Sequence, residues 1–338
     1  MSKRTLWNLI IIGITMIEGV ISLKAEIPVD SSSIDPPPRF SESMVNPQRK
    51  IVRAIDGAQQ QLYVPPRFIT QPGQIQQRTS TSILVTYSGF SAEAQAAFQY
   101  AVDIWESMLT TPVAIRVNAN WTPLGAGILG SCGATDYYGD VSTWYPVALA
   151  EKLNGAPLNG TNADIDANFN SSFASWYLGT DGNVPFDKWD FVSVVLHELC
   201  HGLGYIGSFN YSGGQGSWGY GTGKPIIFDR FVYNGSDQAL INTGLFANPS
   251  VALGTQLTSG NLYFKGPSSG SIKLYAPGTW NGGSSVYHTD HTAHPDDLMN
   301  YALYNGTAIH DPGSLVMSQM ADIGWGGYIP PVTYTITG

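Results

Sequence analysis

Asp190-Phe-Val-Ser-Val-Val-Leu-His-Glu-Leu-Cys-His-Gly-Leu-Gly204 places two histidines four residues apart in an otherwise apolar run. Apolar residues on all sides predict a helix buried in a domain, with Asp190 as its N-cap. In a helix, His197 and His201 lie one turn apart on the same face. Two imidazoles so placed suit one Zn²⁺. Glu198 between them is positioned to take a proton from a water polarised by the metal. The bland alternative is a structural helix with two hydrogen-bonded histidines. The distribution of histidine weighs against that alternative: all six lie at 197, 201, 288, 291, 294 and 310, and the first half of the chain has none.

Moving toward the N-terminus, Asp164-Ile-Asp-Ala-Asn-Phe-Asn170 and Trp144-Tyr-Pro-Val-Ala-Leu-Ala150 read as strands or sheet edges. Val113 to Val117 and Ile83 to Tyr87 are further strand candidates. Between the last two, Ser91 caps an amphipathic helix with Ala94, Ala97, Phe98, Ala101, Ile104, Trp105 and Met108 on one face. Strand, long helix, strand is the opening of a mixed α/β domain. Residues 26–79 are rich in Pro, Ser and Gln, including Pro36-Pro37-Pro38 and Pro65-Pro66. Such a segment is expected to bury little and to serve as a propeptide or linker. It holds no cysteine, so it cannot block a metal with a thiolate. If it packs instead, it would lie across the cleft as a latency device.

Residues 1–25 begin with Lys3-Arg4, continue with a short apolar core and reach the small residue Ala25. This is the pattern of a signal peptide, with a retained anchor as the alternative. The reading therefore predicts a secreted, extracellular protein with no stable membrane insertion after signal removal. Export permits a Cys132–Cys200 bridge; two buried thiols are the other reading. The net charge of −9 comes with no basic patch, which excludes nucleic acid and anionic membrane as partners. With 43% hydrophobic and only 12% charged residues, a large core is available and the surface must be Ser, Thr, Asn, Gly and Tyr.

Toward the C-terminus, residues 208–285 are rich in Gly, Tyr and Asn, with short strands predicted at Ile226–Asp229 and Asn261–Phe264. Ser314 to Ile323 reads as a short helix closed by Gly324, followed by a peripheral tail from Tyr328.

A catalytic zinc takes three protein ligands and keeps one position open. No Glu follows Glu198, so a downstream glutamate is ruled out. In the short motif His-Glu-x-x-His-x-x-Gly-x-x-His, Gly204 matches the glycine, but the third ligand falls on Gly207, which has no side chain. The remaining candidates are His288, His291, His294 and His310. Just after the first three comes Asp296-Asp297-Leu298-Met299-Asn300-Tyr301.

With these residues the chain resembles the metzincin metalloproteases, whose zinc site rests on a methionine turn. It is most similar to the leishmanolysin-like variant, which has a long insertion before the third histidine, and to secreted bacterial proteins with a downstream Ser-x-x-His-x-Asp. Ser285-Val-Tyr-His288-Thr-Asp290 is the counterpart of that piece. The resemblance covers roughly residues 80 to 327. Met299 lies eleven residues after His288, the leishmanolysin-like spacing. It lies eight after His291, the matrix-metalloprotease spacing. The long insertion favours His288.

The resemblance implies an α+β, metzincin-like zincin fold, with a twisted mixed sheet, two long helices and a loop-rich lower lobe. The catalytic domain would be 80–338, with an upper lobe at 80–204 and a lower lobe at 205–327. It implies a monomeric zinc metalloendopeptidase acting on protein or peptide substrates. His197, His201 and His288 would hold Zn²⁺, Glu198 would be the general base, and Met299 would pack beneath the histidines. Tyr301 would either approach the metal or simply pack. The competing class is a non-catalytic surface or glycan-binding protein that retains a zinc site.

Overall fold

The structure, a computed structural model, describes residues 40–44, 49–57, 61–67 and 81–326. The signal-peptide reading at 1–25 and the tail from Tyr328 lie outside these residues. Among the described residues no helix is long and apolar enough to cross a membrane. The architecture of the described residues is mixed α+β, with five α-helices and several sheets.

The elements that position the site are, in chain order, β1 (Lys50–Ile55), β2 (Ile83–Ser88), α1 (Ala92–Met108), β3 (Ile115–Thr122), β4 (Ile128–Ala134), α2 (Val147–Asn154) and β5 (Ile165–Asn170). They continue with α3 (Phe191–Leu203), α4 (Val251–Leu257), β6 (Ala302–Tyr304) and α5 (Gly313–Met320). The six strands form one sheet in the order β6-β1-β4-β5-β3-β2. β2, β3 and β5 run parallel, β4 is antiparallel to β5, β1 is antiparallel to β4, and β6 is parallel to β1.

The parallel pair β2–β3 needs a crossover, and α1 supplies it. Ser91 starts this helix by accepting the Ala94 N–H at 3.2 Å. Ala94, Ala97, Phe98, Ala101 and Trp105 are buried along one face. The alanines let the helix approach its neighbours, while Phe98 and Trp105 fill the core. Truncating either aromatic to Ala would cost about 3–5 kcal/mol. The Trp105 indole N–H also donates to the Leu196 carbonyl at 3.2 Å, tying α1 to α3.

All thirteen residues of α3 are buried, as its apolar surround predicts. Asp190 caps it, accepting the Ser193 N–H at 2.7 Å and the Ser193 hydroxyl at 2.6 Å. At Gly202 a Cβ would stand 2.4 Å from Ile165 Cγ2, so only glycine lets α3 lie this close to β5. The helix ends at Gly204, whose φ of 132° suits glycine and few other residues.

Several expectations need correction. The segment before residue 80 was expected to bury little, yet β1 lies inside the large sheet and its Lys50 and Val52 are buried. Trp144–Ala150 is a strand only to Pro146, after which α2 begins. Ile226–Asp229 is not a strand: a 3-10 turn spans Ile227–Phe231, closed by the Ile226 N–H donating to the Asp229 carboxylate at 3.0 Å. Of the two readings for the cysteines, the second holds: Cys132 and Cys200 are buried free thiols. The predicted C-terminal helix continues past α5 as a π-type turn over Ala321–Trp325, with Gly324 at φ 125°.

Candidate metal centre

His197 and His201 project from α3 one turn apart, and the loop before residue 290 returns His288 to them. The three Nε2 atoms stand 3.1 Å (His197–His201), 3.2 Å (His197–His288) and 3.2 Å (His201–His288) apart. All three residues are fully buried.

Each ring's other nitrogen fixes its tautomer. Nδ1 of His197 meets the Leu298 carbonyl at 2.7 Å, that of His201 the Tyr205 carbonyl at 2.7 Å, and that of His288 the Ser284 carbonyl at 2.7 Å. A carbonyl only accepts, so each Nδ1 carries the proton and each Nε2 presents a bare lone pair. Three lone pairs thus point at one another inside the protein, an arrangement that repels unless a cation sits among them. Tetrahedral zinc at about 2.0–2.1 Å from each nitrogen would set them about 3.3 Å apart, close to the spacing seen. The donor set therefore fits a metal ion.

Electrostatics favour the neutral, ligating form. Burial pulls His197 down to about 4, opposed by its bond to the Leu298 carbonyl. Burial, then the neighbouring histidines, push His201 well below the usual range. His288 is pushed the same way by burial and by His197.

Glu198 is fully buried beside this triangle. Its Oε1 accepts the Val52 N–H from β1 at 3.1 Å. Its Oε2 has no hydrogen-bond partner among the described residues. Burial raises its pKa well above the carboxylate range, against the Val52 hydrogen bond and the nearby Arg49 charge. Strand β4 makes room for it: a Cβ at Gly130 would lie 2.9 Å from Glu198 Cγ.

The loop bearing His288 is anchored from below. Tyr287 donates its hydroxyl to Asp229 at 2.6 Å, and Asp229 also receives the Ser208 N–H at 3.0 Å. Gly207, where the short motif would place a third histidine, faces this assembly. A Cβ there would stand 2.1 Å from Asp229 Oδ1 and 2.4 Å from the Tyr287 ring. The neighbour of His288 thus occupies the space that a side chain at 207 would need.

Asp297 to Asn300 form a turn whose Leu298 carbonyl orients His197. Met299 is buried in it, with its N–H held by Asp297 at 2.9 Å. Tyr301 stacks on Tyr275 with ring centroids 4.1 Å apart, the packing alternative. The other histidines stay out of the cluster. His291 meets the Tyr304 hydroxyl at 2.9 Å. His310 places Nε2 2.9 Å from the N-cap carboxylate of Asp190.

Sequence reasoning missed the three carbonyls behind the histidines, which have no side-chain signal. It also missed Val52 and Gly130, since a Pro-rich region and a small-residue strand gave no hint of a site.

No curated protein matches the chain. A family model described as SPBPB7E8-like matches residues 132–229, a span that holds His197, Glu198 and His201 and ends before His288.

Proposed function

We propose that this chain is a secreted zinc-dependent endopeptidase of metzincin type, hydrolysing peptide bonds in extended peptide or protein substrates. The observation that carries the reading is the triangle of converging Nε2 lone pairs, two of them on the helix that also bears the buried carboxylate of Glu198. His197, His201 and His288 would hold the ion. When bound, zinc supplies a Lewis acid that acidifies water and polarises a scissile carbonyl. Glu198 then acts through Oε2, the oxygen with no partner: it accepts the water proton and delivers it to the leaving amine. The carbonyls of Leu298, Tyr205 and Ser284 keep the three rings in the ligating tautomer throughout. The Met299 turn would serve as the floor of the site, as in the family the sequence resembles.

One observation favours a second reading, a non-catalytic surface or glycan-binding protein with a structural zinc. The histidines and Glu198 are all fully buried, as structural sites are. Against it, a structural site has no use for Glu198.

The test compares the zinc-loaded chain with Glu198→Gln, both intact and after limited nicking by an added protease. The two should carry equal zinc, and only the parent should show chelator-sensitive cleavage of denatured casein. The loss should be at least about 100-fold, as expected for removal of a general base. Equal cleavage by both would rule out the mechanism, and no chelator-sensitive cleavage in any form would favour the structural reading.

A further inference from the structure

A cavity of about 290 Å³ opens between Lys50, Ser208, Asn210, Ser217 and Tyr220. It is smaller than the usual small-molecule pocket of about 300–1,000 Å³ and suits a single side chain or end group. It adjoins the metal centre. Lys50 Nζ stands 4.2 Å from the centroid of the Tyr287 ring, and Tyr287 directly precedes His288. The charge of Lys50 is felt at both His201 and His288.

Lys50 is only 2% exposed, and its ammonium has no hydrogen-bond acceptor among the described residues. The anion whose field reaches it is Asp229. That carboxylate is committed elsewhere: it accepts the Ser208 N–H and hydroxyl, the Ile226 N–H and the Tyr287 hydroxyl. Burial pulls the Lys50 pKa down to about 8, opposed by Asp229, so the group keeps its charge at neutral pH. A buried charge without a hydrogen-bonded partner is costly, and the face of an aromatic ring offsets only part of that cost.

The rest of the lining suits an anion. Asn210 and Ser217 stand opposite each other in an antiparallel hairpin, and neither side chain has a hydrogen-bond partner among the described residues. Tyr220 fixes the far wall, its hydroxyl donating to the Gly207 carbonyl at 3.1 Å. No Asp or Glu lines the cavity, although the chain carries a net charge of −9. An ammonium, an amide N–H₂ and a hydroxyl therefore face one space with no carboxylate among them.

We propose that this cavity is a subsite for a carboxylate of the substrate, with Lys50 as the specificity-determining residue and Asn210 and Ser217 at its mouth. The inference deepens the proteolytic reading and rests on it: a peptide with a carboxylate at one fixed distance from the scissile bond is cut in preference. A Glu or Asp side chain and the C-terminal carboxylate of a peptide offer the same chemistry.

The test uses the full chain, zinc-loaded, with Lys50→Met, which keeps the stem and removes the charge, and Lys50→Gln as a second variant. Two mixtures of synthetic decapeptides are digested and the cuts mapped by mass spectrometry, one mixture with amidated C-termini and one with free acids. The parent should favour a carboxylate at one position by at least about tenfold, the usual size for one hydrogen bond to a charged group. Enrichment of Glu or Asp within the amidated mixture identifies a side chain. A preference confined to the free acids, at a fixed distance from their ends, identifies the terminal carboxylate. In either variant the preference should fall to near one.

Binding is read separately from cleavage, through the assigned Cε signal of Lys50 in chain labelled with ¹³C-lysine. N-acetylglutamate amide or N-acetylglycine should shift it saturably, and N-acetylglutamine amide should not. An unmoved signal, or one moved equally by the amide, overturns the proposal. So does cleavage without a carboxylate preference, or a preference that survives Lys50→Met. A saturable shift with no cleavage by any form supports the carboxylate site and sinks the proteolytic reading instead. If neither variant folds, the titration and the cleavage preference of the parent decide.

Discussion

At the scale of single residues, His288 and His291 make the sharpest contrast. His288 is fully buried with Nδ1 on the Ser284 carbonyl and Nε2 facing two other imidazoles. His291 is partly exposed and bonded to Tyr304. His288→Ala should therefore lose most bound zinc, measured by metal analysis after dialysis, while His291→Ala should retain it. The reverse result would move the third ligand. The pair on α3 was legible because an i, i+4 spacing is a local geometric fact. His288 was legible only through the resemblance and its spacing to Met299, because nothing local tells one loop histidine from another. The orienting carbonyls of Leu298, Tyr205 and Ser284 were invisible, since any residue type supplies a carbonyl.

Among the elements, α3 and β5 show how little room the centre has. Gly202 faces Ile165 where a Cβ would clash at 2.4 Å, one position beyond His201. Gly202→Val should push the helix off the sheet, costing about 1–3 kcal/mol as overpacking. It should lower the thermal midpoint and weaken zinc binding together, as read by calorimetry and metal titration. A variant as stable as the parent would mean that the helix shifts freely. The elements that local pattern could resolve were those with a clean period or a cap: β2, α1 with Ser91, and α3 with Asp190. β1 was obscured because Lys50-Ile-Val-Arg-Ala-Ile55 was averaged with its Pro- and Gln-rich surroundings. β4, Ile-Leu-Gly-Ser-Cys-Gly-Ala, shows no alternation because Leu129 through Ala134 are all buried. Ile226–Asp229 had strand-like residues, but the side chain of Asp229 turns the backbone by capturing the Ile226 N–H.

The molecule as a whole joins residues 50–55 to residues 302–304 in one sheet, a pairing that no local signal announces. The histidine triangle adds a long-range link of another kind, between positions 87 residues apart at His201 and His288. An unfolded chain would have to close that loop before gripping an ion, at an entropic cost that grows slowly with length. The ion should therefore bind the folded chain and hardly the unfolded one. Free zinc at about 100 times its dissociation constant then adds about 2.7 kcal/mol of stability, and at about 1,000 times about 4 kcal/mol. The thermal midpoint should rise with each decade of free zinc and fall under a chelator, even in Glu198→Gln. A midpoint indifferent to metal would mean that the triangle holds none. With a metal bound as proposed, folding of this chain would become a titration of its surroundings. Where metal is scarce, three crowded lone pairs would loosen the polymer, and where it is plentiful, one ion would fasten its distant parts like a removable rivet.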